Sequence, residues 1–211
     1  MIGGKRLFDY HHSPKPWLEI DKIATYYDFV YAQHQRGEKV CKQSVHDQEK
    51  ARRRVMEVLK YFRISLERGA KALDVGCGLG YYAGALNYYG FNVVGIDISS
   101  SAIESARVAF PGVQFERACY PRDIDMLFDL IWAVDLSTIN SFSIDIIREF
   151  ILQSLLRLER KGTLVIGWHT DFSGRMKDEW AHWDFSTLNK MRRMGGICGP
   201  AIVQTRYNIV N

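Results

Sequence analysis

Three closely spaced glycines and an acid about twenty residues further on are the residues of this chain best suited to chemistry. Gly76, Gly78 and Gly80 stand in Asp74-Val75-Gly76-Cys77-Gly78-Leu79-Gly80, between an apolar run and a helix-like run. Backbone without Cβ atoms can turn sharply there and let a ligand come close, so the loop suits a nucleotide or a nucleoside. Asp97 ends the next apolar run, where a carboxylate can accept hydrogen bonds from both ribose hydroxyls of an adenosine. Its plainer reading is a cap for the helix that follows. A dinucleotide loop would carry its third glycine at position 81, but that residue is Tyr81. The third glycine is Gly80, and the G-x-G-x-G spacing points to a different adenosine ligand.

The elements that must position these residues follow from periodicity. From Lys71 onward short apolar runs alternate with helix-like stretches, the pattern of a parallel sheet. The expected strands are 71–75, 91–97, 113–116, 128–134 and 163–168. Helices are expected over 80–89, from the Ser99-Ser100-Ser101 caps to about Phe110 with Glu104 placed for a capping box, and over 144–158. Gly90 is placed for a left-handed cap and Lys161-Gly162 for the turn into the fifth strand. Before the core, 47–68 reads as a helix with Val55, Leu59, Phe62 and Leu66 on one face and Arg52, Arg53 and Arg54 fanned over the remainder. After it, 185–194 reads as helix and 201–210 as a strand. The expected fold is a doubly wound, mostly parallel Rossmann-like α/β sheet with helices on both faces. A single domain would comprise an N-terminal helical cap and substrate region (1–69), a cofactor-binding core (70–168) and a lid with a C-terminal helix and strand (169–211).

Leu73-Asp74-Val75-Gly76-Cys77-Gly78-Leu79-Gly80 resembles the first motif of class I S-adenosylmethionine-dependent methyltransferases. Val94-Gly95-Ile96-Asp97-Ile98-Ser99 resembles their second-strand motif, Phe128-Asp129-Leu130-Ile131 their fourth strand, and 155–166 the helix, turn and fifth strand that follow. The resemblance spans roughly residues 70–168. It implies S-adenosylmethionine as cofactor and S-adenosylhomocysteine as product. Asp74, Gly76, Cys77, Gly78 and Gly80 would then lie along the methionine moiety, Asp97 would hold the ribose, and Ile98 would pack on adenine. The family often presents an acid to adenine after the third strand. Here the stretch is Arg117-Ala118-Cys119-Tyr120, so backbone groups near Ala118 and Cys119 are the substitutes. Family members also usually end in an antiparallel strand pair, whereas 201–211 offers one strand; the pair is incomplete, or another chain completes the edge. Both monomer and homodimer stay open.

Methyl transfer from a sulfonium is an in-line displacement, so positioning dominates and a base is needed only where the acceptor must lose a proton. Residues just after strands four and five are the first candidates in an open α/β sheet. These are Asp135, for orienting the acceptor or contacting cofactor, and His169, whose ordinary pKa near 6.5 suits a base at neutral pH. His182 lies in a polar and aromatic segment of lid-like composition from Asp171 onward, and Tyr26, Tyr27, Phe29 and Tyr31 form an aromatic cluster ahead of the core. The stretch after strand four, Ala133-Val134-Asp135-Leu136, is neither the Asp/Asn-Pro-Pro-Tyr run of nucleic-acid amino methylases nor a Pro-Cys nucleophile. Carboxylates are too scattered for a hard-cation site.

The net charge of +4 is too small to argue for nucleic acid. Its distribution, an acidic core between basic flanks, suits an anionic acceptor, although a solvated surface would read the same way. No apolar run is long enough to span a bilayer or act as a secretory signal, and four widely separated cysteines read as reduced thiols, so the expected location is cytoplasmic. The favoured function is methyl transfer to a small-molecule acceptor, on oxygen before nitrogen. An RNA or protein methyltransferase, using Arg52 to Arg54 and Arg192-Arg193 to track phosphates, and a catalytically silent cofactor-binding module are the alternatives.

Overall fold

The computed structural model describes residues 20–37, 47–64, 67–136, 138–139 and 144–167. Five strands form one parallel sheet: β1 (Lys71–Val75), β2 (Asn92–Asp97), β3 (Gln114–Arg117), β4 (Phe128–Val134) and β5 (Leu158–Gly167), in the order β3-β2-β1-β4-β5. The order reverses at β1, which opens a crevice beyond the carboxyl ends of β1 and β4. Five helices accompany the sheet: α1 (Ile20–Gln35), α2 (Gln48–Tyr61), α3 (Tyr81–Tyr88), α4 (Ser100–Ala109) and α5 (Ile144–Leu155).

Strands buried on both faces make two cores. On one face Ala51 and Val55 of α2, Ala83 and Leu86 of α3 and Ile103 and Ala106 of α4 pack on Ala72, Val93, Leu130 and Trp132. On the other, Ile147 and Phe150 of α5 pack with Tyr120 and Ile124 on Leu73, Ile96, Ile131 and Ala133. The sequence alternates which side chain it sends to each face, and apolar residues at both parities leave the central strands no polar side. The expected Rossmann-like α/β/α arrangement is therefore borne out; the C-terminal segments, including the expected 201–210 strand, lie outside the described residues.

Three boundaries differ from expectation, each for a local reason. Helix α2 stops at Tyr61 rather than running to 68, because Arg63 adopts a left-handed φ of 52°. The amide of Arg63 then donates to Lys60 O and that of Ile64 to Leu59 O, which is the paired closure of a Schellman motif. The cap of α4 is Ser99, whose hydroxyl accepts from the Ala102 amide at 3.1 Å. Glu104 is thus two residues too late for the capping box, since the third helical position is Ala102. Helix α5 ends at Leu155, and β5 begins at Leu158, which pairs with Phe128. Lys161 and Gly162 belong to that strand instead of a turn, at a register irregularity where a Cβ on Gly162 would stand 2.9 Å from Phe128 O.

The β2–β3 side of the core is close-fitting around Phe115, 3% exposed, whose ring would stand 2.6 Å from a Cβ on Gly95. Gly95→Ala is expected to destabilise the protein by about 1–3 kcal/mol through overpacking. In urea unfolding, Gly95→Ala combined with Phe115→Leu should lose less than the two single changes added together, because they share one contact.

Candidate active site

The glycine loop leaves the end of β1 and is tied at once to β2: the Gly76 and Cys77 amides both donate to Ile96 O, at 2.8 and 2.9 Å. All three glycines have positive φ, and Gly80 is the left-handed N-cap of α3. Two side chains close over the loop. Leu136 Cδ1 would be 2.5 Å from a Cβ on Gly76, and the Tyr31 hydroxyl 2.6 Å from one on Gly78. Any side chain at these positions would therefore collide with the loop's cover as well as strain its backbone.

Asp97 is 8% exposed and points back into this loop. Its Oδ2 accepts from the Gly78 amide and its Oδ1 from the Ser99 amide, each at 2.9 Å. The carboxylate thereby joins the loop to the N-terminus of α4, where the helix cap itself is Ser99 rather than Asp97. Burial raises its pKa despite the amides that favour the anion. Asp74, 2% exposed at the end of β1, is more extreme. Burial, opposed by an amide hydrogen bond from Ala83 and reinforced by the Asp97 charge, pushes its carboxyl up to about 8. Its Oδ2 has no hydrogen-bond partner in the protein. Burial beside both acids also pushes the Cys77 thiol well up, keeping it neutral.

Asp135 follows β4 with a left-handed φ of 62°, a conformation aspartate tolerates better than most residues. Its amide donates to Gly167 O and its Oδ2 lies 3.9 Å from Arg54 Nη1. Beside this pair the ring of Tyr82 packs on Trp132, centroids 5.6 Å apart, with its buried hydroxyl toward Arg54. Ile98 is half-buried, and its carbonyl accepts from Arg117 Nε. The amides proposed from sequence for adenine are engaged elsewhere: Ala118 N donates to Asp97 O, and Cys119 N to Asp123 Oδ2. Asp123 thereby returns an acid to the loop after β3, held ionised by Arg122. His169 and His182 lie outside the described residues.

Several contributors were not singled out by sequence reasoning. Arg54 reads as surface within a basic triplet, yet it faces Asp135, while Arg52 lies 4.0 Å over the Tyr88 ring and pairs with Glu49. Leu136 and Asp28 carry no motif at all. Only the aromatic cluster hinted at Tyr31, and nothing in its spacing tells which ring meets the loop.

A glycine cradle tied to β2, a buried acid on its far side and a second buried acid with an unpartnered carboxyl oxygen make a candidate nucleoside site on a Rossmann-like sheet. A family model for a methyltransferase domain matches residues 46–192, more than half of the chain, and the protein belongs to that family. No curated protein matches it. Among solved structures it is similar to a TehB-like S-adenosylmethionine-dependent methyltransferase from Corynebacterium glutamicum, at 24% identity over 81% of this chain and 83% of that one, with a TM-score of 0.52. It is also similar to magnesium protoporphyrin IX methyltransferase from Synechocystis with bound S-adenosylhomocysteine, at 15% identity, 90% and 94% coverage and a TM-score of 0.63. A third is the S-adenosylmethionine-bound amino pentose methyltransferase CalS10 from Micromonospora echinaspora, at 22% identity, 67% and 57% coverage and a TM-score of 0.51. The protein is an S-adenosylmethionine-dependent methyltransferase, and no helix among the described residues is long and apolar enough to cross a membrane.

The residues present fit that cofactor. An unpartnered buried carboxyl oxygen on Asp74 asks for a donor or a cation, which a ligand ammonium supplies. In the ligand-free protein Asp74 stays protonated up to about pH 8 while the unfolded chain ionises near 3.8. Its burial therefore carries no ionisation penalty below pH 3.8 and a progressively larger one between there and pH 8. Asp74→Asn should raise the melting temperature of the ligand-free protein by several degrees at pH 8 and by much less at pH 5, read by calorimetry.

Proposed function

We propose that the enzyme methylates a small-molecule acceptor, on oxygen in preference to nitrogen, at the carboxyl ends of β1 and β4. The observation that carries this reading is the position of α1 over the glycine loop, with the Tyr31 hydroxyl against Gly78. A helix laid across the loop narrows the approach to the sulfonium and favours a compact acceptor over the surface of a polymer. Two similar structures, the amino pentose and the magnesium protoporphyrin IX methyltransferases, are consistent with small-molecule acceptors. Occupied arginines fit it too. Arg52 and Arg54 are engaged by Tyr88, Glu49 and Asp135, which leaves Arg53 of the triplet to reach a phosphate backbone. The basic flanks remain compatible with an anionic acceptor.

In this reading each residue does a positional task. Bound S-adenosylmethionine supplies an electrophilic methyl group on sulfur. Asp97 accepts from the ribose hydroxyls with the lone pairs that Gly78 and Ser99 leave, and Asp74 faces the ammonium. The loop Gly76 to Gly80, with Cys77 beneath it, lies along the methionine chain, and Ile98 and the Ala118-Cys119 turn border adenine. Leu136 and Tyr31 keep water from the loop, and Asp135 orients the acceptor or touches cofactor. His169, two residues beyond the end of β5 in sequence, removes the proton when the nucleophile is a hydroxyl.

Three measurements separate these claims. Asp97→Ala should weaken S-adenosylmethionine binding by roughly a hundredfold or more in calorimetry, as expected for two lost charge-assisted hydrogen bonds. An unchanged affinity would remove the ribose assignment. His169→Ala should lower kcat about 10²–10⁴-fold with an hydroxyl acceptor while leaving S-adenosylhomocysteine affinity intact. Transfer of labelled methyl to a panel of small hydroxyl and amine compounds should give turnover. Steeply salt-dependent binding to tRNA, with no turnover on the panel, would instead favour an RNA substrate.

A further inference from the structure

Helix α1 is attached to the cofactor half of the fold by polar contacts that converge on one carboxylate. Asp28 Oδ1 accepts from the Ser99 hydroxyl at 2.7 Å, from the Ser100 hydroxyl at 3.1 Å and from the Ser101 amide at 3.1 Å. Two turns further along α1, Gln35 Nε2 donates to Ser105 Oγ at 2.7 Å and to Ser101 O at 3.3 Å. These partners are all on the first turns of α4, some seventy residues away in sequence. Apolar burial by α1 is modest by comparison, with Ala24 and Val30 its fully buried side chains among those described. An anionic group at a helix N-terminus is also favourably placed against the helix dipole. Hydrogen bonds to the anion lower the pKa of Asp28 against the opposing effect of its partial burial, so it is charged at neutral pH.

The serine that Asp28 grips is the same one whose amide orients Asp97. Ser99 is fully buried; its hydroxyl both donates to Asp28 and caps the Ala102 amide, while its backbone N–H goes to Asp97 Oδ1. The other oxygen of Asp97 holds the Gly78 amide, and Gly78 is the point over which Tyr31 of α1 lies. The contacts thus close a ring: α1 to Ser99 through Asp28, Ser99 to Asp97, Asp97 to Gly78, and Gly78 back to α1 through Tyr31. We propose that Asp28 is a positioning residue for the cofactor site, which fixes the Asp97 carboxylate through Ser99 and makes the docking of α1 and the binding of cofactor mutually reinforcing.

This rests on the reading of Asp97 as the ribose acid. Coupling of this kind is reciprocal, so whatever α1 docking contributes to cofactor affinity, cofactor returns to α1 docking. Because Asp28 acts through Ser99 and has no place at the reacting atoms, its loss should change affinity without abolishing the site.

The test uses the full chain and S-adenosylhomocysteine as the probe. In calorimetric titration Asp28→Ala should raise Kd about tenfold, the equivalent of 1.4 kcal/mol, with the number of sites per chain unchanged. A merely misfolded fraction would lower the number of sites and leave Kd alone. Asp28→Asn, which keeps an acceptor oxygen for Ser99, Ser100 and Ser101, should recover most of the affinity. Hydrogen exchange over residues 20–35 should slow on adding S-adenosylhomocysteine to the wild type and respond much less in Asp28→Ala. A wild-type Kd in Asp28→Ala overturns the positioning role. Equal losses in the alanine and asparagine variants overturn the hydrogen-bonding route through Ser99. If Asp28→Ala weakens binding while Asp97→Ala does not, the ribose reading of Asp97 fails, and the route through it fails with it.

Discussion

The Asp97 carboxylate has to satisfy two backbone amides from different parts of the chain at once. Gly78 belongs to the loop after β1 and Ser99 to the start of α4, and Asp97 itself closes β2 between them. A buried carboxylate is tolerable only when its oxygens are met by donors, so this placement fixes three segments relative to one another. The register of β1 and β2 carries the same constraint inward: Val75 pairs with Ile96, and Ile96 O takes the Gly76 and Cys77 amides. The loop cannot open without breaking those bonds, nor can α4 swing without releasing Ser99. The glycines are necessary because a loop pulled this tightly onto β2 must use left-handed backbone.

Such a site is electrostatically unfinished. Burial raises the pKa of both acids, the charge of Asp97 adds to the rise at Asp74, and the desolvation of Asp74 is only partly offset by the Ala83 amide. A protein interior gains nothing from that arrangement unless a cationic or donor-rich ligand completes it. S-adenosylmethionine brings an ammonium and a sulfonium, and its nucleoside brings hydroxyl donors. The acids therefore belong to the energetics of ligand binding more than to those of folding, which is where sites and stable cores commonly diverge.

The sheet and its cofactor loop were legible because their signals are local. Each of β1, β2 and β4 is a largely apolar run bounded by turn residues, the short β3 buries Phe115 alone, and Gly90, at φ 97°, ends α3 where glycine was expected to. The contrast with α2 is instructive. It closes with the same paired hydrogen bonds, but the left-handed position is held by Arg63, and nothing in an arginine announces a helix end. The start of β5 was hidden for a similar reason: Lys161-Gly162 has turn composition, yet the glycine serves close packing across an irregular register. At the site, the structure brings the Asp97 carboxylate onto the glycine loop. The residues that act by long-range contact, Asp28, Arg54 and Leu136, carry no local pattern, since their roles depend on which elements the fold brings together. Ala118 and Cys119 were expected at the adenine side on the strength of the missing acid. Their amides prove to be spent on Asp97 O and Asp123, and only the folded chain shows that Asp123 comes back to that turn.

The division of labour between α1 and the sheet bears on how an acceptor is admitted. At the carboxyl end of the sheet the glycine loop is held by backbone and buried carboxylate, tied to the parallel ladder. Everything that covers it from α1 is a side chain at the end of a helix attached chiefly through Asp28 and Gln35. A helix secured by a few hydrogen bonds to one neighbouring element can detach at lower cost than a strand of the sheet. In the proposed reading, cofactor exchange needs the Tyr31 side of the loop to clear, whereas the chemistry needs it closed so that water stays out and the acceptor is held in line with the sulfur. A polar, charge-dependent attachment meets both demands, because it is specific in register when docked and readily hydrated when not. An apolar interface of the same size would favour closure too strongly for exchange and too loosely in register for a displacement that requires reacting atoms about 3–3.5 Å apart.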